Sequence, residues 1–548
     1  VNIKTLAQVG RFKEIVSVLV KYGFGDVVDM LDLPGKKLAH RIAATDPEKT
    51  TFERIRLALD ELGPTFVKFG QIMSLRSELL PKPMVEELQN LQDNASPIDV
   101  VAVRQVIEQT LMTTLEEVCI LFDDTPLAAA SLSQVHRGVL RSDRSVVAFK
   151  VQRPDIRDKI ERDLGIMAAI AERLHERVED LQVHNLPALV ALVRRTLERE
   201  LDFSREARYM QIAGSYMRDV PGIYVPEVFT DLTTERLLVM EYVEGESLRD
   251  LSPAELERPE RLACRGLRAT VKQILEDGFF HADPHPGNIL ILDGKTIGLL
   301  DWGMVGRLTP KDRQELIDLL AAVVEKDSER LVDAILAIAE SGTQIDRRSL
   351  ERDLLDLLDA HLTASVAELR LGQLMMEIMD LMRDYRLSIP SDLFMMIKSL
   401  VTAEGAVRRI YPQLDVVSEV RPYVSRLAKE RFKPEVIWHN LRALVFKLAV
   451  SPTRFPRRIS DIVEKMERGQ LRIGFEHRNL SGLQNTFEKI FSRLTMGVIV
   501  AAMIIGSSMI ITTGLPPLFH GYPLLGLIGF LISGVFGLWL IYDIVRNR

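Results

Sequence analysis

Along most of the chain, segments with apolar residues at helical spacing alternate with shorter runs of β-branched and aromatic residues. Residues 11–24 (RFKEIVSVLVKYGF) put Ile15, Val18, Leu19 and Tyr22 on one helical face, with Arg11, Lys13 and Lys21 among the polar positions. Such a helix packs on a protein body or lies on a membrane surface, and the pattern leaves both open. Residues 61–81 predict a helix with Pro64 in its first turn and Pro81 at its end. Lys68, Gln71 and Ser74 recur there on one face, which periodicity alone reads as solvated. Residues 125–151 predict three antiparallel strands, the last being Val146–Val151. Asp155–Arg218 reads as two helices, the second opened by Pro187, and residues 236–248 as a strand running into a turn. A helix over 254–277 follows, then a hairpin made by Ile289–Leu292 and Ile297–Leu300 around Asp293-Gly294. Residues 310–475 look largely helical.

The C-terminal segment follows a different rule. From Leu494 to Tyr542 no residue is charged. Met496–Leu515 is about twenty residues, roughly 30 Å as a helix, which matches the hydrocarbon thickness of a bilayer. Pro516-Pro517 breaks it, His520–Pro523 makes a polar turn, and Leu524–Tyr542 supplies a second span. Lys489 and Arg493 precede the pair, and Arg546 and Arg548 follow it, so both ends are expected in the cytoplasm. Gly497/Ala501 and Ser533/Gly537, each spaced by four, predict where the spans pack closely. SPTRFPRR (451–458), ahead of the spans, suits anionic lipid heads and a plain surface loop equally.

Composition narrows the classes. The chain has 548 residues, 47% hydrophobic and 27% charged, as expected of a folded protein of two or three units. A net charge of −7 and the lack of a basic stripe interleaved with aromatics give no support to nucleic-acid binding. Two cysteines, Cys119 and Cys264, make neither a disulfide framework nor a zinc cluster. The first residues (VNIKTLAQVGRFKE) lack a secretory signal pattern, so the body is expected not to be secreted. No internal repeat stands out.

The chemistry concentrates in residues 281–303, HADPHPGNILILDGKTIGLLDWG. Pro284 and Pro286 rule out a helix across HADPHPGN, so it is a loop. His281 and His285 therefore lack the helical spacing of a zinc pair. Loop, hairpin and the Asp301-Trp302-Gly303 turn bring Asp283, Asn288 and Asp301 toward one point. Phosphoryl transfer uses that set: Asp and Asn oxygens hold Mg²⁺, and another carboxylate orients the attacking hydroxyl or water. Upstream, VAFK ending in Lys150 matches the strand whose lysine reaches the α and β phosphates in kinases. The turn before it reads AAASLSQVH, where a kinase carries glycines, so the phosphate loop is expected to be stiffer. In ELDFSREA (200–207), Asp202 and Glu206 share a face of an unbroken helix and Glu200 points about 200° away from Asp202. Glu206 is then placed to pair with Lys150, while Glu200 and Asp202 face other polar groups such as Lys68 or Gln71. MEYV (240–243) looks like an inter-lobe hinge, with adenine bonding the backbone of Glu241 and Val243. No A-P-E motif follows Asp301, so a peptide-docking platform is not expected.

Together these residues resemble the UbiB family of atypical kinase-like proteins, also called AarF or ADCK. The resemblance covers about residues 10–310 plus the C-terminal apolar pair. It is carried by Lys68-Phe-Gly-Gln71, the loop Ala128-Ala129-Ala130-Ser131, Lys150 in KVQRP, Glu200-Leu-Asp202, HADPHPGN and Asp301-Trp302-Gly303. It implies an α+β, bilobal protein-kinase-like fold with an N-terminal helical extension and a C-terminal two-helix transmembrane hairpin. The corresponding divisions are 1–115 (extension), 116–245 (N-lobe with inserted helices), 246–475 (helical C-lobe), 476–493 (linker) and 494–545 (spans). It implies ATP and Mg²⁺ as ligands: Ala128–Ser131 and Lys150 at the phosphates, Glu206 positioning Lys150, Asn288 and Asp301 on Mg²⁺, and Asp283 orienting the nucleophile. Lys68, Gln71, Glu200 and Asp202 form a gate that blocks the space of a protein substrate. The implied activity is ATP hydrolysis, or phosphorylation of a small molecule, in support of ubiquinone biosynthesis at a bacterial inner membrane, with the body in the cytoplasm. The implied partners are membrane lipids or quinone precursors and ubiquinone-biosynthesis enzymes. A small-molecule phosphotransferase and a non-catalytic ATP-binding scaffold are the rival readings.

Overall fold

The computed structural model describes residues 9–25, 28, 49–74, 80–91, 95–178, 185–339, 345–362, 370–430, 480–513, 516–519 and 522–546. The chain divides into two compact units, Val1–His439 and Asn440–Arg548.

The first unit opens with helices α1 (Val9–Lys21), α2 (Thr51–Leu62), α3 (Pro64–Ser74) and α4 (Lys82–Gln89). Of the two uses open to the first amphipathic helix, α1 takes the packed one. Phe12, Ile15, Val16, Val18 and Val20 are buried with Ala58, Leu62 and Phe66. Arg11 donates to both carboxylate oxygens of the buried Asp163, at 2.8 and 3.0 Å. Thr50 and Glu53 form a capping box that starts α2. The described part of α3 ends at Ser74, short of the expected stop at Pro81.

After α5 (Val100–Leu111), strands β1 (Cys119–Phe122), β2 (Ala128–Ala129), β3 (Ser133–Leu140) and β4 (Val146–Gln152) form an antiparallel sheet. The sheet order is β1-β3-β4-β6, with β2 on β3 and β6 spanning Leu237–Glu241. The three expected strands are present, and β1 extends them. In β4 the alternation is plain: Val147, Phe149 and Val151 are buried with Val103, Val106 and Ile107 of α5, which turns Lys150 to the other face.

Between β4 and β6 the chain forms α6 (Ile156–Arg177), α7 (Leu186–Glu200) and α8 (Phe203–Met217). This corrects the expectation of one unbroken helix through ELDFSREA. The helix stops at Glu200, and Asp202 leaves helical geometry at φ −103°, ψ 90° to cap α8, accepting from Ser204 N at 3.1 Å. An Asp favours this end because its side chain competes for backbone amides. The extension packs on α6 and α7 through Val67, Ile72, Met73, Leu88 and Leu91 against Ile160, Leu164, Val193 and Leu197. Gly70 is needed there, since a Cβ would run into Leu91 and lie 3.2 Å from Leu59 and Leu88.

The helical half follows β5 (Ile223–Tyr224) and β7 (Glu246–Ser247). Helix α9 (Pro259–Val271) widens into a π turn over Lys272–Asp277 that Gly278 ends at φ 64°. Then come β8 (Phe279–His281), β9 (Ile289–Leu292), β10 (Thr296–Leu299) and β11 (Val305–Arg307). The β9–β10 hairpin turns through Asp293 and Gly294, both at positive φ as a type I′ turn requires. Helices α10 (Pro310–Glu325), α11 (Ser328–Ile338), α12 (Arg347–Leu362), α13 (Leu371–Asp384), α14 (Ser391–Ile410) and α15 (Val416–Glu430) complete this half. One large core joins them to α8, α9 and the strands of the loop region.

The second unit contains α16 (Leu480–Thr513) and α17 (Leu524–Arg546). Helix already begins at Leu480, inside the stretch expected as a linker. Among the described residues, one segment, Thr495–Thr513, is a helix long and apolar enough to cross a membrane, and Leu524–Leu540 is a shorter apolar stretch of helix. Of the two expected spans, the first is met in length and composition. The two helices pack on each other, and of the expected pairs Ser533/Gly537 lies at their contact: Ser533 is fully buried, and a Cβ on Gly537 would touch Val500. Nothing lies within 4 Å of a Cβ built on Gly497, whereas Cβ atoms on Gly526 and Gly529 would collide with Ile511 and Ser507. SPTRFPRR (451–458) lies outside the described residues.

Candidate active site

Three elements meet at the Lys150 ammonium. Lys150 Nζ donates to Glu206 Oε1 and Oε2 at 2.7 and 2.9 Å and to Asp301 Oδ1 at 3.2 Å. β4 supplies the lysine, the first turn of α8 the glutamate, and the turn after β10 the aspartate. The Phe203 ring, centred 5.5 Å from Nζ, walls the pair on one side. Burial opposes the lysine's charge, but the Asp301 and Glu206 carboxylates outweigh it and raise its pKa above the usual value. Burial pushes the Glu206 carboxyl up to about 7 against the pull of Lys150. At Asp301 burial also pushes upward, but Lys150 wins and the carboxyl stays well below its usual range.

The HADPHPGN loop is held by backbone and histidine hydrogen bonds. His281 is buried, its amide donating to Gln273 Oε1 at 3.0 Å and its carbonyl accepting from Ser399 Oγ at 2.6 Å. Its Nδ1 accepts from Asp283 N at 3.2 Å, which leaves Nε2 to donate to the Leu300 carbonyl at 3.0 Å. That network requires the neutral ring, and burial lowers its pKa accordingly. His285 Nδ1 accepts from Gly287 N at 3.0 Å. Both histidines therefore shape the loop. Among the described residues, no group of three or more His, Cys, Asp or Glu side chains is placed to hold a metal ion.

The hairpin brings Asn288 beside Asp301. Its register pairs Leu299 with Ile289, and the next bond, Leu300 N to Asn288 O at 2.8 Å, carries the alignment one step further. Asn288 Nδ2 lies 3.5 Å from the Asp283 carbonyl, so the side-chain oxygen is turned away from that contact. Asp301 sits at φ 51°, a left-handed conformation rare outside glycine, and its Oδ1 also accepts from Gly303 N at 3.2 Å. Trp302 anchors the turn: it is fully buried, donates to Leu299 O at 3.2 Å and stacks on Phe279.

The remaining candidates lie on or beside β2 and β6, on α3, and at the α7–α8 break. The alanine loop is a tight turn, with Ala130 N bonded to Ser133 O at 2.9 Å. Ala128 and Ala129 pair with β3, and Ser131 is buried. Arg153 pins the turn by donating to Ala130 O at 2.8 Å and to Ser96 O at 2.7 Å. At the hinge, the Glu241 side chain accepts from Tyr224 OH and from Glu227 N, while its amide bonds Glu227 O. Val243 follows in the segment leading to β7. Of the four gate residues, Lys68 and Glu200 meet, with Nζ 3.6 Å from Oε2. Gln71 donates to Leu91 O at 3.1 Å, and Asp202 is occupied capping α8 with Arg208 4.0 Å away. Sequence reasoning missed Arg153, Gln273 and Ser399. Arg153 stands in the KVQRP run directly after the strand lysine, a visible signal; the other two carry none.

The donor set fits a hard cation shared with phosphate oxygens. Mg²⁺ takes one or two carboxylate or amide oxygens and completes its shell with water and phosphate, so a three-carboxylate cage is not required. Asp301 keeps a half-exposed carboxylate, and Asn288 has its nitrogen engaged and its oxygen available.

Three family models match the chain: the ABC1 atypical kinase-like domain over residues 90–335, the UbiB helical domain over 354–415, and the ABC1/UbiB kinase-like C-terminal domain over 478–546. An "Uncharacterized protein in hydrogenase 1 5'region" of Clostridium pasteurianum is 31% identical over 540 residues, 98% of this chain and 99% of that protein. A "Probable protein kinase UbiB" of Xanthomonas campestris pv. campestris (strain B100) is 30% identical over 494 residues, 86% and 88% of the two chains. One of the same name from Xylella fastidiosa (strain M23) is 32% identical over 432 residues, 77% of each. A solved chain described as "The complex structure of Rv3197-erythromycin from Mycobacterium tuberculosis" is 21% identical with a TM-score of 0.47, covering 64% of this chain and 90% of that one.

Proposed function

Since the chain belongs to the UbiB family of atypical kinase-like proteins, we propose that it is a membrane-anchored ATPase that supports ubiquinone biosynthesis. In this reading it binds Mg-ATP and couples hydrolysis to handling a quinone precursor or another isoprenoid lipid. The observation that carries the nucleotide reading is the Lys150–Glu206–Asp301 cluster, with Asn288 brought beside Asp301 by the hairpin. A lysine gripped by one carboxylate from a neighbouring helix and facing another across the cleft is held in one position. That suits contact with phosphate oxygens.

Lys150 faces the α and β phosphates, and Glu206 keeps it there. Asn288 and Asp301 would hold Mg²⁺, which supplies neutralisation of phosphate charge. Asp283, fixed through its amide to His281, orients the attacking water or hydroxyl and accepts its proton. The Ala128–Ser131 turn covers the phosphates, and the backbone of Glu241 and Val243 receives adenine. Lys68 and Glu200, backed by Gln71 and Asp202, stand as a gate that favours water or a small acceptor over a protein. Helix Thr495–Thr513, with its shorter partner as the second arm of a hairpin, anchors the chain in a bacterial inner membrane with the body in the cytoplasm. Biosynthetic enzymes and lipid precursors are the partners.

The test is Mg²⁺-dependent phosphate release from ATP by the full chain, with and without anionic vesicles carrying a quinone precursor. Asp301→Asn is the control, and about a 10²–10³-fold loss is expected, the size of effect seen when one electrostatic stabiliser is removed. Tight Mg-ATP binding without release in any condition would replace the ATPase by a scaffold.

A further inference from the structure

The loop from Asp283 to Asn288 contains Pro284, His285, Pro286 and Gly287, and so brings no cation of its own to the transferred phosphoryl group. Of the cleft's two lysines, Lys150 is committed to Glu206 and Asp301 and Lys68 is paired with Glu200. A third lysine comes from the helical half. Helix α14 is fastened to the loop by Ser399, whose hydroxyl donates to the His281 carbonyl at 2.6 Å, and His281 in turn accepts the Asp283 amide at 3.2 Å. Lys398 immediately precedes that serine and is partly buried. Among the described residues no carboxylate lies within ion-pairing distance of its ammonium. Burial lowers its pKa, and the one charge that draws it back is Asp283. A partly buried ammonium without a counter-ion is costly, and such groups concentrate where a ligand supplies the missing charge.

We propose that Lys398 binds the terminal phosphoryl group of the nucleoside triphosphate, on the side facing Asp283. The inference rests on the nucleotide reading given above. In the transfer, the bond between the terminal phosphorus and the bridging oxygen breaks, and its electron pair stays on the nucleoside diphosphate. The acceptor oxygen forms the new bond to phosphorus and gives its proton to Asp283. Lys398 exchanges no proton; it faces the negative charge on the phosphoryl oxygens as they move. The helical region beyond the kinase-like core thereby completes the site, and the triphosphate is distinguished from the diphosphate by a residue more than a hundred positions from the loop.

The experiment compares binding of a non-hydrolysable Mg-ATP analogue and of Mg-ADP by the full chain in detergent, for wild type, Lys398→Met and Lys398→Arg. Phosphate release and melting temperature are measured alongside. Expected for K398M is a loss of about tenfold in preference for the triphosphate, with Mg-ADP affinity and melting temperature kept and phosphate release down by about 10²-fold. K398R is expected to restore the preference. A K398M chain with the wild-type preference, or one that loses both nucleotides equally, overturns the inference and leaves the nucleotide reading standing. A wild-type chain that binds neither nucleotide overturns both.

Discussion

Two lysine–glutamate pairs draw on ELDFSREA, and they are built differently. Lys150 and Glu206 have side chains 13% and 5% exposed and bond at 2.7 and 2.9 Å through both carboxylate oxygens. Lys68 and Glu200 are almost as enclosed, at 16% and 11%, yet their charges stand 3.6 Å apart, beyond hydrogen-bond reach. The first pair joins β4 to α8 and fixes the Lys150 cation beside Asp301. The second joins the extension to α7 by a looser, non-directional attraction. A short, doubly bonded pair positions a group; a pair separated by half an ångström more than a hydrogen bond is one that can part. Both glutamates come from the same eight-residue motif, and the helix break at Leu201–Asp202 sends them to different partners.

The comparison breaks most sharply if the tight pair is removed. Glu206→Ala leaves the Lys150 ammonium with the single, longer bond to Asp301, and a loss of about 3–5 kcal/mol in unfolding free energy is expected, since breaking a buried pair leaves much of its desolvation cost uncompensated. Urea unfolding of the nucleotide-free chain measures it, and a loss under 1 kcal/mol would make the two pairs equivalent.

The next effect concerns the neutral contact that holds the loop between them. His281 has its folded pKa depressed below the usual value near 6.5, so the unfolded chain binds more protons as pH falls. The stability it contributes is present above about pH 6.5 and is lost as pH drops through that value toward the folded pKa. Melting temperature measured from pH 8 to 5 should therefore fall less in His281→Gln than in wild type. Parallel curves would detach His281 from the loop's pH response.

The smallest effect belongs to the loose pair. A double-mutant cycle of Lys68→Met and Glu200→Gln is expected to give a coupling of about 1 kcal/mol or less, and to shrink with salt. A coupling as large as that of Lys150 with Glu206 would mean that the extension is clamped on the cleft.

Much of this was legible in the chain. The β-branched strand ending in VAFK marked Lys150, Asp-Gly marked the β9–β10 turn, and two prolines excluded a helix through HADPHPGN. Those are local properties: side-chain period, φ preference and the missing proline N–H act over a few residues and are readable without knowing what lies across the fold. The break between Glu200 and Asp202 was less legible, because Asp202 serves either as a mid-helix carboxylate or as a cap. Packing of α7 on the extension and of α8 on the β6 sheet decided between them. Of the small-residue pairs expected where α16 meets α17, Ser533/Gly537 lies at the contact and Gly497 does not. Four-residue spacing marks small faces, but only the docked pair shows which of them meet.

What the sequence determined by itself was the kinase-like order of lysine, glutamate, loop and Asp-Trp-Gly, the helical extension, and the uncharged stretch from Leu494 to Tyr542. Tertiary structure alone decided that Asp202 caps α8 while Glu200 reaches Lys68, that His281 is a neutral loop support, and that α14 is fastened to the HADPHPGN loop through Ser399. Those outcomes depend on groups far apart in the chain. Their charges and hydrogen bonds act only when packing has brought them within a few ångströms, a distance that no local pattern encodes.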